Sequence, residues 1–205
     1  MNMMADRGET TSSPNLYFDS NFDMEAAKIL PGEYYVTNRK MVLVTVLGSC
    51  VAACIRDRVS GIGGMNHFML PDNNRDKSDP TSVSARYGTY AMEMMINQLL
   101  KNGAKRANLE AKLFGGGSVL RGLTVVNIGE RNADFALQYL RNEGITVAGT
   151  DLLDIYPRKV YFFPSSGRVL VKKLLNMHNE TIIKRELDYR SHIKVADIQG
   201  DVELF

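Results

Sequence analysis

A chain of 205 residues, 44% hydrophobic and 23% charged, has the make-up of one soluble globular domain with tails. It is large enough to bury a core without disulfides or metals. A net charge of +2 argues against a nucleic-acid binder, and the lack of a run of about 18 apolar residues argues against a membrane-spanning helix. Met1 to Ser20 is polar, without the apolar stretch of a secretory signal, so a cytoplasmic location is expected.

Residues 1–22 are rich in Ser, Asn, Asp and Thr and read as a flexible polar N-terminal extension. Ordered structure is expected from about Ile29, after which Pro31-Gly32 marks a turn. Short apolar runs bounded by Gly, Asn, Asp and Pro predict strands over Tyr34 to Thr37, Met41 to Val46, Val51 to Asp57 and Ile62 to Leu70. The polar segment Asp72 to Ser84 reads as a loop. Met92, Met95, Ile96 and Leu99 then recur at helical spacing within Tyr87 to Lys101, and Gly103 ends the run. A strand follows over Ala107 to Phe114. A second helix spans Glu130 to Glu143 with Gly144 as its stop, and another strand covers Ile145 to Leu152. Lys159 to Phe163 and Val169 to Lys173 form a hairpin around Ser165-Ser166-Gly167. Strands early and late with two main helices between them predict a layered α/β (α+β) domain over residues 23–175. Residues 176–205 read as a polar C-terminal extension. The N-terminal end is acidic and the stretch from Arg158 to Lys194 is basic, which fits either solvated faces or a docking surface for an acidic partner.

Cys50 and Cys54 are the only cysteines. Four residues of extended strand separate them by roughly 13 Å, too far for a disulfide, and no further His or Cys cluster completes a metal site. Free thiols are expected. Cys50 follows Leu47-Gly48-Ser49, where a strand interrupted by Gly-Ser can present a thiol at a turn beside unpaired backbone N–H groups. Such groups can hold an oxyanion and lower a thiol pKa. The competing reading is a small buried hydrophobe, and that reading suits Cys54. His67 lies in an otherwise apolar run, Gly63 to Leu70, where an imidazole must be either hydrogen-bonded in the core or functional. His178 and His192 sit among charged residues, as solvated surface groups do.

Leu47-Gly48-Ser49-Cys50-Val51-Ala52-Ala53-Cys54, followed by Gly63-Gly64-Met65-Asn66-His67-Phe68-Met69-Leu70-Pro71, resembles the signature of the chemoreceptor glutamine deamidase family, CheD. Lys28 to Tyr34, Phe114-Gly115-Gly116-Gly117, Ile128 to Asn132, Pro157 to Val160 and Ser166 to Val169 extend the resemblance over about residues 22 to 175. The resemblance implies a three-layered sandwich of central β-sheets and two main helices, akin to the deamidase domain of cytotoxic necrotising toxins. It implies a catalytic set of Cys50, His67 and Thr45, with Ser49 as rival for the third role and as backbone support for an oxyanion. It implies deamidation of glutamine side chains on chemoreceptor cytoplasmic helices, with hydrolysis of glutamyl methyl esters by the same route and no metal or organic cofactor. A CheC-type phosphatase is an implied further partner. The rival reading is a non-catalytic regulatory module acting on that phosphatase. No nucleic-acid partner and no membrane insertion are expected. The loop Asp72 to Ser84, directly after the His67 run, is expected to border the substrate groove.

Overall fold

The computed structural model describes residues 15–71, 83–119, 128–175 and 180–195. Ten strands form two five-stranded sheets. The first sheet contains β1 (Asn15–Asp19), β2 (Met24–Lys28), β4 (Val42–Leu47), β9 (Arg158–Phe163) and β10 (Arg168–Lys173), adjacent in that order. The second contains β3 (Tyr34–Thr37), β6 (Gly63–Asn66), β5 (Val51–Asp57), β7 (Leu109–Gly115) and β8 (Thr146–Leu152), again in that order. Helices α1 (Val83–Lys101) and α2 (Ile128–Asn142) cover the second sheet. The layers are therefore sheet, sheet and helices, as the resemblance implied.

Alternation along β5 explains the layering. Val51, Ala53 and Ile55 pack toward Met92, Leu99, Ala133 and Leu140 of the helices. Ala52 and Cys54 join Cys50 in packing toward Leu43, Leu47, Val160 and Phe162 of the first sheet. Burial on both faces is why this strand reads as an unbroken apolar run. Both cysteines are free and buried in the space between the sheets, as expected of thiols that cannot bridge.

Three segments depart from the expectations. Asn15–Asp19, assigned to a flexible extension, pairs antiparallel with Met24–Lys28. Its ordering comes from backbone pairing: Leu16, Tyr17 and Phe18 remain exposed, so no burial pattern marks it. The expected strand over Ile62 to Leu70 ends at Asn66, because the Asn66 side chain takes the Ala53 N–H (2.8 Å) and the His67 N–H turns to the Glu33 carbonyl (2.9 Å). Pairing resumes one residue beyond His67, where Val51 and Phe68 exchange two backbone bonds of 2.9 Å. Within the expected C-terminal extension, Glu180–Val195 forms a third helix, α3. Most of the expected loop after Pro71 lies outside the described residues, but Val83 and Ser84 already belong to α1, where the Ser84 hydroxyl donates to the Pro71 carbonyl (2.6 Å).

The three-residue connection Gly48-Ser49-Cys50 crosses from β4 in one sheet to β5 in the other. Its carbonyls are all engaged from behind. The Gly117 N–H donates to Gly48 (2.7 Å), Asn132 Nδ2 to Ser49 (2.8 Å), and the Gly116 N–H to Cys50 (2.8 Å). The glycines permit this approach: a Cβ on Gly115, at φ +111°, stands 2.2 Å from the Cys50 carbonyl oxygen. Gly117 and Ser118 run beside a turn with two left-handed residues, Leu153 (φ 65°) and Asp154 (φ 75°). Buried Arg158 braces that turn through the Asp151 carbonyl (2.5 Å), the Asp151 carboxylate and the Leu153 carbonyl.

Asn132 is fully buried and joins this connection to the segment after His67, since its Oδ1 accepts the Leu70 N–H (2.9 Å). Asn132→Ala strips partners from two buried backbone groups, each worth roughly 1–3 kcal/mol when left unpaired. We expect a stability loss of about 3 kcal/mol in urea unfolding at an unchanged denaturant slope. A loss under about 1 kcal/mol would show that the tie is dispensable.

Candidate active site

The Val51–Phe68 pair brings Cys50 and His67 to one face. Residues flanking that pair point to its other face, so Cys50 and His67 are diagonal neighbours on the side facing the first sheet. Thr45 arrives from the opposite sheet. On β4, Leu43, Thr45 and Leu47 turn inward while Val42 and Val44 pack on the outer face. The three residues expected at the site are therefore gathered between the sheets.

The Thr45 hydroxyl fixes the imidazole. Its oxygen lies 2.7 Å from the Ile29 carbonyl and 2.8 Å from His67 Nδ1. A hydroxyl carries one proton and a carbonyl can only accept, so Thr45 donates to Ile29 and accepts from Nδ1–H. That assigns the ring proton to Nδ1 and leaves Nε2 with a lone pair. Nε2 is buried and has no hydrogen-bond partner among the described residues. The ring's backbone is fixed as well: the Gly32 N–H donates to the His67 carbonyl (2.7 Å). Burial pushes the imidazole down to about 3, aided by the nearby Arg185 guanidinium. It is neutral at neutral pH and able to accept a proton.

With the carbonyls of Gly48, Ser49 and Cys50 engaged from behind, their N–H groups converge in front, on one carboxylate. Glu186 of α3 accepts from the Gly48 N–H (2.9 Å), the Ser49 N–H (3.0 Å) and the Cys50 N–H (3.2 Å), and from the Ser49 hydroxyl (2.6 Å). The Gly48 and Cys50 N–H groups share one carboxylate oxygen and the Ser49 N–H and hydroxyl take the other, a donor arrangement able to hold a negatively charged oxygen. The Cys50 thiol is raised well above its ordinary value, first by complete burial and then by the charge and hydrogen bond of Glu186, which Arg185 offsets in part. The expected lowering of this thiol is thus reversed. Cys54 is raised by burial as well, as a core thiol should be.

Ser49 stands on the oxyanion side, hydrogen-bonded to Glu186, while Thr45 alone of the two touches His67. Four residues at the site escaped the sequence reading. Asn132 lay in a recognised block, Ile128 to Asn132, with no role attached. Glu186, Tyr87 and Tyr189 were missed: the two tyrosine hydroxyls meet at 2.5 Å between α1 and α3, close enough to Cys50 for a thiolate there to raise both. The signal for α3 was a helical spacing of Ile182, Glu186, Tyr189 and Ile193, obscured by the glutamate in its centre.

A family model described as CheD chemotactic sensory transduction matches residues 69–173. A protein of Methylobacillus flagellatus is 66% identical over 203 residues, covering 98% of this chain and all of its own length. Proteins of Thiobacillus denitrificans and Herminiimonas arsenicoxydans are 64% and 62% identical, covering 96% and 93% of this chain and 98% and 94% of their own lengths. All three carry the name "Probable chemoreceptor glutamine deamidase CheD". Cys50 and His67 precede the matched segment of the family model, and the relatives carry the likeness across them. With that model matched over half of the chain and these relatives over nearly all of it, the chain belongs to the CheD family.

Proposed function

We propose that this protein is a cysteine-dependent hydrolase that converts glutamine side chains to glutamate on the cytoplasmic helices of chemoreceptors. One observation carries the reading: an imidazole whose Nδ1 proton is tied to Thr45 keeps a free Nε2 on the face it shares with Cys50, at the connection whose three amides converge on one carboxylate. The names of the relatives supply the substrate class. No helix among the described residues is long and apolar enough to cross a membrane, in keeping with action from the cytoplasm.

In this mechanism His67 Nε2 takes the proton of the Cys50 thiol, and the sulfur forms a bond to the glutamine carboxamide carbon. The carbonyl oxygen becomes an oxyanion and moves into the donors of Gly48, Ser49 and Cys50. The C–N bond breaks as His67 returns the proton to the leaving nitrogen, giving ammonia and a thioester. Water, deprotonated by the same Nε2, cleaves the thioester to glutamate and restores the thiol. Thr45 orients the ring throughout. A glutamyl methyl ester follows the same path with methanol as leaving group.

Cys50→Ala abolishes release of ammonia from a receptor cytoplasmic fragment while preserving the fold, and Cys54→Ala retains activity. Mass spectrometry of the fragment reads both. Full deamidation by Cys50→Ala would falsify the nucleophile assignment, and a variant that still binds a CheC-type phosphatase separates catalysis from association. Thr45→Val lowers kcat by about tenfold or more, because it frees the imidazole tautomer without removing the base. Ser49→Ala, which deletes a hydroxyl but no backbone donor, costs less. A larger loss at Ser49 than at Thr45 exchanges their roles.

The buried neutral imidazole also links folding to pH. Its folded value lies below its ordinary 6.5, so the unfolded chain binds this proton first. Its contribution to stability is whole above about 6.5 and is lost progressively as pH falls toward about 3. In His67→Gln the urea midpoint therefore falls less steeply across that window than in the wild type. Parallel curves would show that His67 is already neutral in the unfolded chain or accepts its proton when folded.

A further inference from the structure

The groups that should receive a substrate are occupied by the protein itself. Cys50 is wholly buried, His67 and Glu186 are each 2% exposed, and α3 lies over them. A buried glutamate placed for stability alone ordinarily finds a Lys or Arg partner. Here, among the described residues, the acceptor oxygens of Glu186 bond the amides of Gly48, Ser49 and Cys50 and the Ser49 hydroxyl, with the Cys50 thiol beside them, and Arg185 is near enough to act on that thiol through its charge but forms no ion pair with Glu186. Glutamate on a helix is also what deamidation of a helical glutamine leaves behind. We propose that the cleft filled by α3 is the groove in which the substrate helix docks, and that Glu186 occupies it as a built-in analogue of the product side chain. This rests on the deamidase reading of the same site.

The face of α3 specifies the partner. Ile182, Glu186, Tyr189 and Ile193 are spaced by four, three and four residues, so they form one stripe along the helix. Ile182 and Ile193 are buried, Tyr189 is largely covered, and Thr181, Lys184, Leu187, Asp188, Ser191 and His192 face solvent. Tyr189 lies against Gly32, where a Cβ would come within 2.9 Å of its hydroxyl, and bonds Tyr87 of α1. Gly32 has φ +85° and its N–H holds His67, so the turn that seats the stripe also holds the base. Gly48 is equally confined: a Cβ there meets Glu186 at 2.7 Å. The groove therefore takes an amphipathic helix with a glutamine centred in an apolar stripe, four residues after one apolar anchor and three before the next.

Two consequences distinguish this seat from a structural contact. A tethered occupant competes with substrate, so weakening it raises the fraction of binding-competent enzyme and lowers KM without changing kcat. A carboxamide can take the same seat with its oxygen on the Gly48 and Cys50 N–H groups and its NH2 donating to the Ser49 hydroxyl, at the loss of the Ser49 N–H bond. In the full-length Glu186→Gln variant, Cys50 sulfur bonds to that side-chain carbon, ammonia leaves with the His67 proton, and water releases the acid. Position 186 thus returns to glutamate.

The test is intact-protein and peptide mass spectrometry of full-length Glu186→Gln, alone and combined with Cys50→Ala, beside the kinetics of Glu186→Ala on a receptor cytoplasmic fragment. We expect amide-to-acid conversion at position 186 that stops in the double variant, and a KM for Glu186→Ala lower by about tenfold at equal kcat. Glu186→Ala should also speed alkylation of Cys50 by iodoacetamide, since burial and the carboxylate both hold the thiol protonated. Suppose the wild type deamidates the fragment through Cys50, yet Glu186→Gln keeps its amide and Glu186→Ala keeps its KM. The inference is then overturned while the deamidase reading stands. A folded Glu186→Ala with abolished kcat overturns it too, by making Glu186 part of the machinery. Conversion at position 186 in an enzyme inert toward the fragment supports the seat and removes the receptor as substrate.

Discussion

The site depends on where three carbonyls point. Gly48, Ser49 and Cys50 each surrender the carbonyl to a donor behind the chain, from Gly117, Asn132 and Gly116. A planar peptide sets a residue's carbonyl opposite the next residue's N–H, so the rearward Gly48 and Ser49 carbonyls turn the Ser49 and Cys50 N–H groups forward, while the peptide of the Cys50 carbonyl gives its Val51 N–H to Phe68. The glycine run contributes through absence of side chain: it brings one backbone against another at a distance a Cβ would forbid. The bracing continues outward through the left-handed Leu153-Asp154 turn to the buried guanidinium of Arg158. The amides at the front are thus held by hydrogen bonds extending to β8 at the edge of the second sheet and to β9 of the first.

The base is held by a second chain of bonds that crosses the sandwich. Ile29, Thr45 and His67 come from different segments, and one hydroxyl proton decides the tautomer for all of them. Because Thr45 and His67 belong to facing sheets, the inter-sheet packing of Leu43, Leu47, Met65 and Phe162 is also what sets the distance between the orienter and the base. Core packing and the geometry of the proposed site are one arrangement here.

Much of this was readable before any coordinates. The two main helices follow from the spacing of Met92, Met95, Ile96 and Leu99 and from Gly144, and the closing hairpin turns where its Ser-Ser-Gly sequence indicated. Cys50 and His67 stood out through their neighbours, and resemblance supplied their roles. Residues whose importance lies in an unusual environment were not legible. Glu186 breaks the apolar stripe that would have announced α3, because its partners are backbone amides distant in sequence. β1 buries almost no side chain and so leaves no periodic trace. Ser49 and Thr45 are alike as hydroxyls, and only the fold separates the one beside the oxyanion donors from the one beside the ring.

The crossing from β4 to β5 is only three residues long, and it carries the thiol proposed to react. Each end is anchored in a different sheet, so the sulfur cannot travel toward a poorly placed target unless the sandwich itself slides. Fit must come from the rod that is presented. On the proposed mechanism the sulfur acts as a fixed point on a ruler laid along the incoming helix, and a glutamine one turn up or down is passed over however similar its side chain. Selectivity in such a protein is a matter of register, and a shift of the rod by one turn would choose a different residue with no change in the enzyme.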